Sequence, residues 1–161
     1  MKLSINISIK EQSLLVYLDN KLIKSYLIST ALKGVGQEKN SFKTPLGTHY
    51  IRVMIGEGVP SSGVFEGRRY TGVRWSNEVS KLNPDHDWIL SRILWLSGME
   101  VGINRLGNHD TMQRYIYIHG TPYEEKLGKP FSHGCIRMSN KDVIELFELV
   151  SVGTVVNINE K

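Results

Sequence analysis

The chain has 161 residues, 40% of them apolar and 22% charged, which suits one folded domain spanning residues 1–161 and excludes an intrinsically disordered segment. Its formal net charge of +4 is mild. The arginines are scattered, with only Arg68 and Arg69 adjacent, whereas a nucleic-acid binder gathers its cations on one stripe, so no nucleic-acid partner is expected. The single cysteine excludes an internal disulfide, and no apolar run of ~18 residues offers a membrane-spanning helix.

From Leu3 to Ile9 apolar and polar residues alternate, which predicts a half-buried strand. A secretory signal would need an unbroken apolar stretch there, so the sequence as it stands reads as cytoplasmic, or as periplasmic or cell-wall if an export segment precedes it. Leu14 to Leu18 and Leu22 to Ile28 are two more strands, joined by an Asp19-Asn20 turn. Residues 31–42 read as a loop, and Thr44-Pro45-Leu46-Gly47 as a turn entering a strand over residues 49–55. Residues 56–87 carry Gly, Ser, Pro, Asn and Asp with little periodicity and read as a long irregular loop. Ile89 to Leu96 predicts a central strand, residues 98–113 a second loop, and Tyr115 to Ile118 a strand that delivers His119 at its end. One helix starts after Ser139, with Asp142 completing a capping-box pattern and Val143, Leu146, Phe147 and Val150 at helical spacing. Val155 to Ile158 closes the chain as a strand.

Two short segments carry chemistry: His119-Gly120, and Ser132-His133-Gly134-Cys135-Ile136-Arg137. Three readings of them stand side by side. Cys135 can be a buried structural residue with satisfied histidines. His119, His133 and Cys135 can hold a catalytic zinc, although His-x-Cys is a cramped ligand pair. Or a histidine can take the proton of the Cys135 thiol, the ion pair keeping the sulfur charged, while Gly134 lets a substrate carbonyl approach the backbone amides around Cys135.

The run Ser132 to Met138 resembles the S-H-G-C-x-R signature of the L,D-transpeptidase catalytic domain family, also called YkuD-type. His119-Gly120 and Thr44-Pro45-Leu46-Gly47 resemble two further landmarks in the same order, and the opening strands and Gly153 to Val156 extend the likeness over nearly the whole chain. The resemblance implies a mainly β, antiparallel sandwich-like domain with one C-terminal helix packed against it. It implies Cys135 as nucleophile, His119 as base with its other ring nitrogen held by the Gly120 carbonyl, and His133 beside Gly134 in the oxyanion region. Ser132 and Arg137 are expected near the substrate, Arg137 as a carboxylate contact or a brace, and Trp75 as a groove wall. His49, His86 and His109 match nothing and are expected at the surface or in loops.

The implied reaction is attack of Cys135 on the L,D peptide bond of a peptidoglycan tetrapeptide stem. Terminal D-Ala is released and a thioester is left, with no cofactor and no metal. Water as acceptor makes an L,D-carboxypeptidase acting on soluble muropeptides during recycling, the favoured outcome; an amine makes 3→3 cross-links. Carbapenems are expected to acylate Cys135. A zinc hydrolase and a non-catalytic module that holds stem peptides are the readings from other classes.

Overall fold

The structure, a computed structural model, describes residues 2–161. Among these residues, ten strands and two α-helices follow in chain order: β1 Leu3–Ser8, β2 Ser13–Leu18, β3 Lys21–Ser29, β4 Gly47–Ile55, β5 Gly63–Glu66, β6 Arg69–Arg74, α1 Asn77–Leu82, β7 Ile89–Gly98, β8 Tyr117–Gly120, β9 Ile136–Met138, α2 Asn140–Leu149 and β10 Val155–Asn159.

The chain is mainly β, but the strands do not form two facing sheets. They form one sheet in the order β4-β10-β1-β2-β3-β9-β8-β7-β5-β6, and β4 pairs again with β7, which closes eight of them into a ring. The sandwich-like expectation is corrected on this point. Closure needs strands that bend, and both partners have shifts in register, between Ile51 and Val53 of β4 and between Leu90 and Ile93 of β7. The β5–β6 hairpin hangs from β7 outside the ring. Only β1–β10 and β8–β9 run parallel.

The alternation read in the first strand has its cause in the ring. Ile5 and Ile7 point inward beside Val16 and Leu14 of β2 and Val156 and Ile158 of β10, all buried. Val143 and Leu146 of α2 join the same core as Leu94, Leu96, Ile118 and Ile136. The helix starts where the capping pattern put it, the Ser139 hydroxyl accepting from Asp142 N at 3.0 Å.

Residues 56–87, expected to be irregular, hold β5, β6 and α1. Every residue of β6 is exposed, so no buried face imposed a period of two on its sequence. Tyr115 adopts φ +56°, a left-handed conformation that delays the start of β8 to Tyr117 and places His119 within the strand. His49 is fully buried rather than at the surface. Its ring bridges Gly47 O at 3.0 Å and Thr111 Oγ1 at 2.9 Å, tying β4 to the loop after β7.

Candidate active site

The parallel ladder of β8 and β9 sets the frame. Ile118 lies opposite Ile136 and His119 opposite Arg137, so Cys135, one residue before β9, lies level with Tyr117. Alternation along each strand then puts the side chains of Cys135 and His119 on one face. This is the register that brings together two residues sixteen positions apart in the chain.

His119 is fully buried. Its Nδ1 lies 2.7 Å from Gly120 O; a carbonyl only accepts, so Nδ1 carries the hydrogen, and Nε2 is left with its lone pair. Nε2 is buried without a partner. Burial pushes the imidazole down to about 4, partly opposed by the Asp87 charge and the Gly120 carbonyl. At neutral pH the ring is therefore an uncharged base. Gly120 must be glycine here, because a Cβ would stand 2.7 Å from both Asn140 Oδ1 and Leu90 O.

Cys135 is half-buried against Phe65, Ile93 and Tyr117. Its thiol donates to Tyr115 O and accepts from Tyr117 N, each at 3.3 Å. The left-handed turn at Tyr115 is what aims that carbonyl at the sulfur. Burial pushes the thiol up to about 12; the Tyr117 amide, Arg137 and Arg114 pull the other way and Asp87 adds to the rise. Both shifts favour the uncharged forms of the thiol and the imidazole at rest.

The loop that carries Cys135 is held from several sides. Ser132 Oγ donates to Cys135 O at 2.6 Å and accepts from Gly134 N at 3.1 Å. Its hydroxyl is committed on both sides and the residue is 1% exposed, so it shapes the turn instead of meeting a substrate. The Gly134 amide is used in the same turn. Gly134 has φ +129°, and a Cβ would approach Lys43 O at 3.3 Å; backbone conformation and close packing require glycine there. Thr44 explains the upstream landmark, since its hydroxyl accepts from Ala31 N and donates to Gly134 O, both at 2.9 Å. Arg114 bonds Gly36 O, Ser41 Oγ and Lys43 O, fixing the opposite loop.

Arg137 is 5% exposed. Its Nη2 pairs with Asp87 Oδ1 at 2.7 Å, its Nη1 bonds Phe131 O at 3.3 Å, and its guanidinium lies 4.6 Å from the Phe131 ring. A cation so enclosed acts as a brace and has no face for a substrate carboxylate. His133 is exposed, with Nδ1 3.6 Å from Asp87 Oδ2. It borders a cleft of about 160 Å³ whose other walls include Lys39, Phe42, Arg114 and Tyr115. Trp75 lies apart, packed on Val64, Trp88 and Leu90, and belongs to a different apolar cluster from the one Cys135 touches. Among the described residues, no three His, Cys, Asp or Glu side chains converge as a metal site would require.

Three residues near Cys135 gave no signal in the sequence. Asp87 sits in a polar run read as loop, and Tyr115 and Tyr117 read as plain strand residues. Arg68, at the tip of the β5–β6 hairpin, donates to Tyr117 Oη at 3.2 Å and stacks 5.1 Å from the rings of Trp95 and Tyr115. Only the fold brings that tip over the site.

The model of the L,D-transpeptidase catalytic domain family matches residues 2–158 of this chain. The chain belongs to that family. The YkuD protein of Bacillus subtilis is 60% identical to it over 42 residues, 26% of either protein. The YbiS protein of Escherichia coli K12 is 49% identical over 41 residues, 26% of this chain and 13% of the relative. Among solved structures, the L,D-transpeptidase from Mycobacterium smegmatis superimposes with a TM-score of 0.58 at 17% identity, over 98% of this chain and 58% of that one. The LdtMt1 structure in complex with imipenem gives 0.58 at 19%, over 98% and 58%. The chain thus spans little more than half of these solved relatives, and the matched segments cover 26% and 13% of the two curated ones.

Proposed function

We propose that this L,D-transpeptidase-family chain is a cysteine acyltransferase that cleaves the L,D peptide bond of peptidoglycan tetrapeptide stems, with Cys135 as nucleophile and His119 as its base. One observation carries the reading: on the face it shares with Cys135, His119 has a buried, unpartnered Nε2 while its Nδ1–H is tied to Gly120 O. A buried lone pair with no donor costs free energy in a resting protein, and its use is to accept a proton in the reaction.

The step follows from the two neutral groups. As Sγ bonds to the carbonyl carbon of the L residue, the thiol proton passes to Nε2 and the carbonyl π pair moves to oxygen. Collapse expels the amine of terminal D-Ala, which takes the proton from the imidazolium, and a Cys135 thioester remains. The cleft bordered by Lys39, Arg114 and His133 is open and cationic on its walls, which fits a peptide bearing free carboxylates. The donor set does not favour a zinc hydrolase, since among the described residues no three His, Cys, Asp or Glu side chains converge. The presence of both nucleophile and base argues against a purely binding module. Hydrolysis of soluble muropeptides and 3→3 cross-linking share this acylation and part only at the acceptor.

The test is mass spectrometry of the products from a defined tetrapeptide, with and without an amine acceptor, alongside intact-mass measurement after imipenem treatment. The expected results are loss of D-Ala and an imipenem adduct on Cys135, both absent from Cys135→Ala, which keeps the wild-type melting temperature. Turnover by a folded Cys135→Ala variant overturns the mechanism.

A further inference from the structure

Asp87 stands between two groups of the site, Arg137 and His133. It precedes β7 in a polar turn, with Oδ1 on Arg137 Nη2 at 2.7 Å and Oδ2 facing His133 Nδ1 at 3.6 Å. His133 and Arg137 lie two residues before and two residues after Cys135, so one carboxylate holds both flanks of the nucleophile. Among the described residues Asp87 is the only acid paired with Arg137, and a cation 5% exposed needs such an anion to stay buried.

We propose that Asp87 is a positioning residue for acyl transfer: it fixes the Cys135 loop through Arg137 and His133, and sets a negative charge beside His119 as that ring takes the thiol proton. The proposal rests on the Cys135–His119 reading above. Asp87 acts on His119, Arg137 and His133; His119 meets Asp87 and Arg137; Cys135 meets Asp87, Arg137 and Arg114. Burial pushes Asp87 up, but the charge and hydrogen bond of Arg137 help to outweigh it and the carboxyl is held below its ordinary value, so it is charged throughout the neutral range. Burial opposes an imidazolium at His119 most strongly, and Asp87 is the largest single counterweight. An anion fixed in place before the proton moves stabilises the imidazolium with no reorganisation at that moment.

The charge makes the test distinctive, because it helps one reaction and hinders another. In Asp87→Asn, acylation by saturating imipenem should slow about 10- to 100-fold, the usual scale for a lost orienting partner. Alkylation by iodoacetamide at pH 9 should speed up, since the thiolate loses a neighbouring anion. In Arg137→Met alkylation should slow, since the thiolate loses a cation. The double variant strands no buried charge, so it folds even where Asp87→Asn does not; its alkylation should return towards the wild-type rate while acylation stays slow. Unchanged acylation in a folded Asp87→Asn or double variant overturns the proposal, and so does faster alkylation in both single variants, which loosening alone would give. Failure of the wild type to take any adduct at Cys135 instead overturns the underlying acyl-transfer reading along with this one.

Discussion

Two walls of the ring are built on the same ladder and do opposite work. In the wall of β1, β2 and β10, a parallel pair and an antiparallel pair stack Ile5, Ile7, Leu14, Val16, Val156 and Ile158 inward, and polar residues such as Asn6 and Asn159 bond each other elsewhere in the layer at 2.8 Å. In the wall of β8 and β9, a second parallel pair buries His119 and Arg137 among apolar neighbours. Backbone pairing is equivalent in the two walls, so the difference lies in what each buries. The first gains free energy from apolar burial; the second gives some up to keep an imidazole and a guanidinium dry. The groups proposed to react lie in the polar wall, and the apolar wall makes their burial tolerable.

The sharpest way to break this division is at the base. His119→Ala should lower the acylation rate about 10²–10⁴-fold in a protein that still folds, because the cavity left by the buried ring is partly offset by the loss of an unpartnered buried Nε2. A single-turnover rate with imipenem and a thermal melt of the same sample check both halves. A large loss of stability with a small loss of rate would place His119 in the architecture rather than in the chemistry.

The converse change belongs to the apolar wall. Ile7 is fully buried between Leu14 and Ile158, so Ile7→Ala should cost about 2–5 kcal/mol of stability. The surviving folded protein should acylate at the wild-type rate. Denaturant titration and the same single-turnover assay separate the two effects, and a rate defect in the folded fraction would mean that the walls are coupled.

A smaller effect sharpens the comparison through pH. Burial holds His49 down at about 4, so its folded value lies below the unfolded value of about 6.5. Between those two values the unfolded chain binds the extra proton, and stability falls as pH drops through that window, then levels below it. The loss attributable to His49 reaches at most about 3 kcal/mol. Melting temperatures from pH 7 to pH 4 should show a shallower fall in His49→Asn, in which the amide can keep one of the two bonds to Gly47 O and Thr111 Oγ1. An unchanged slope would mean that the ring is solvated.

Sequence by itself determined the strand-rich class, the first strands and the α2 cap, because solvent on one side and core on the other write periodicity into the residues. The Ser132–Arg137 motif likewise marked a self-contained loop around Cys135, since Ser132, Gly134 and Cys135 hydrogen-bond within a few residues of each other. What lies further along the chain was decided by the fold. β8 and β9 are buried on both faces and have no alternation to read; the aromatic and β-branched residues before His119 betrayed β8 alone. Ring closure depends on β4 finding β7 as well as β10. The Asp87 contact with Arg137 spans fifty residues, and no local preference of either residue specifies it. Nor did the motif disclose the desolvation of the site, because the residues packed round Cys135 and His119 set it, pushing the thiol up and the imidazole down.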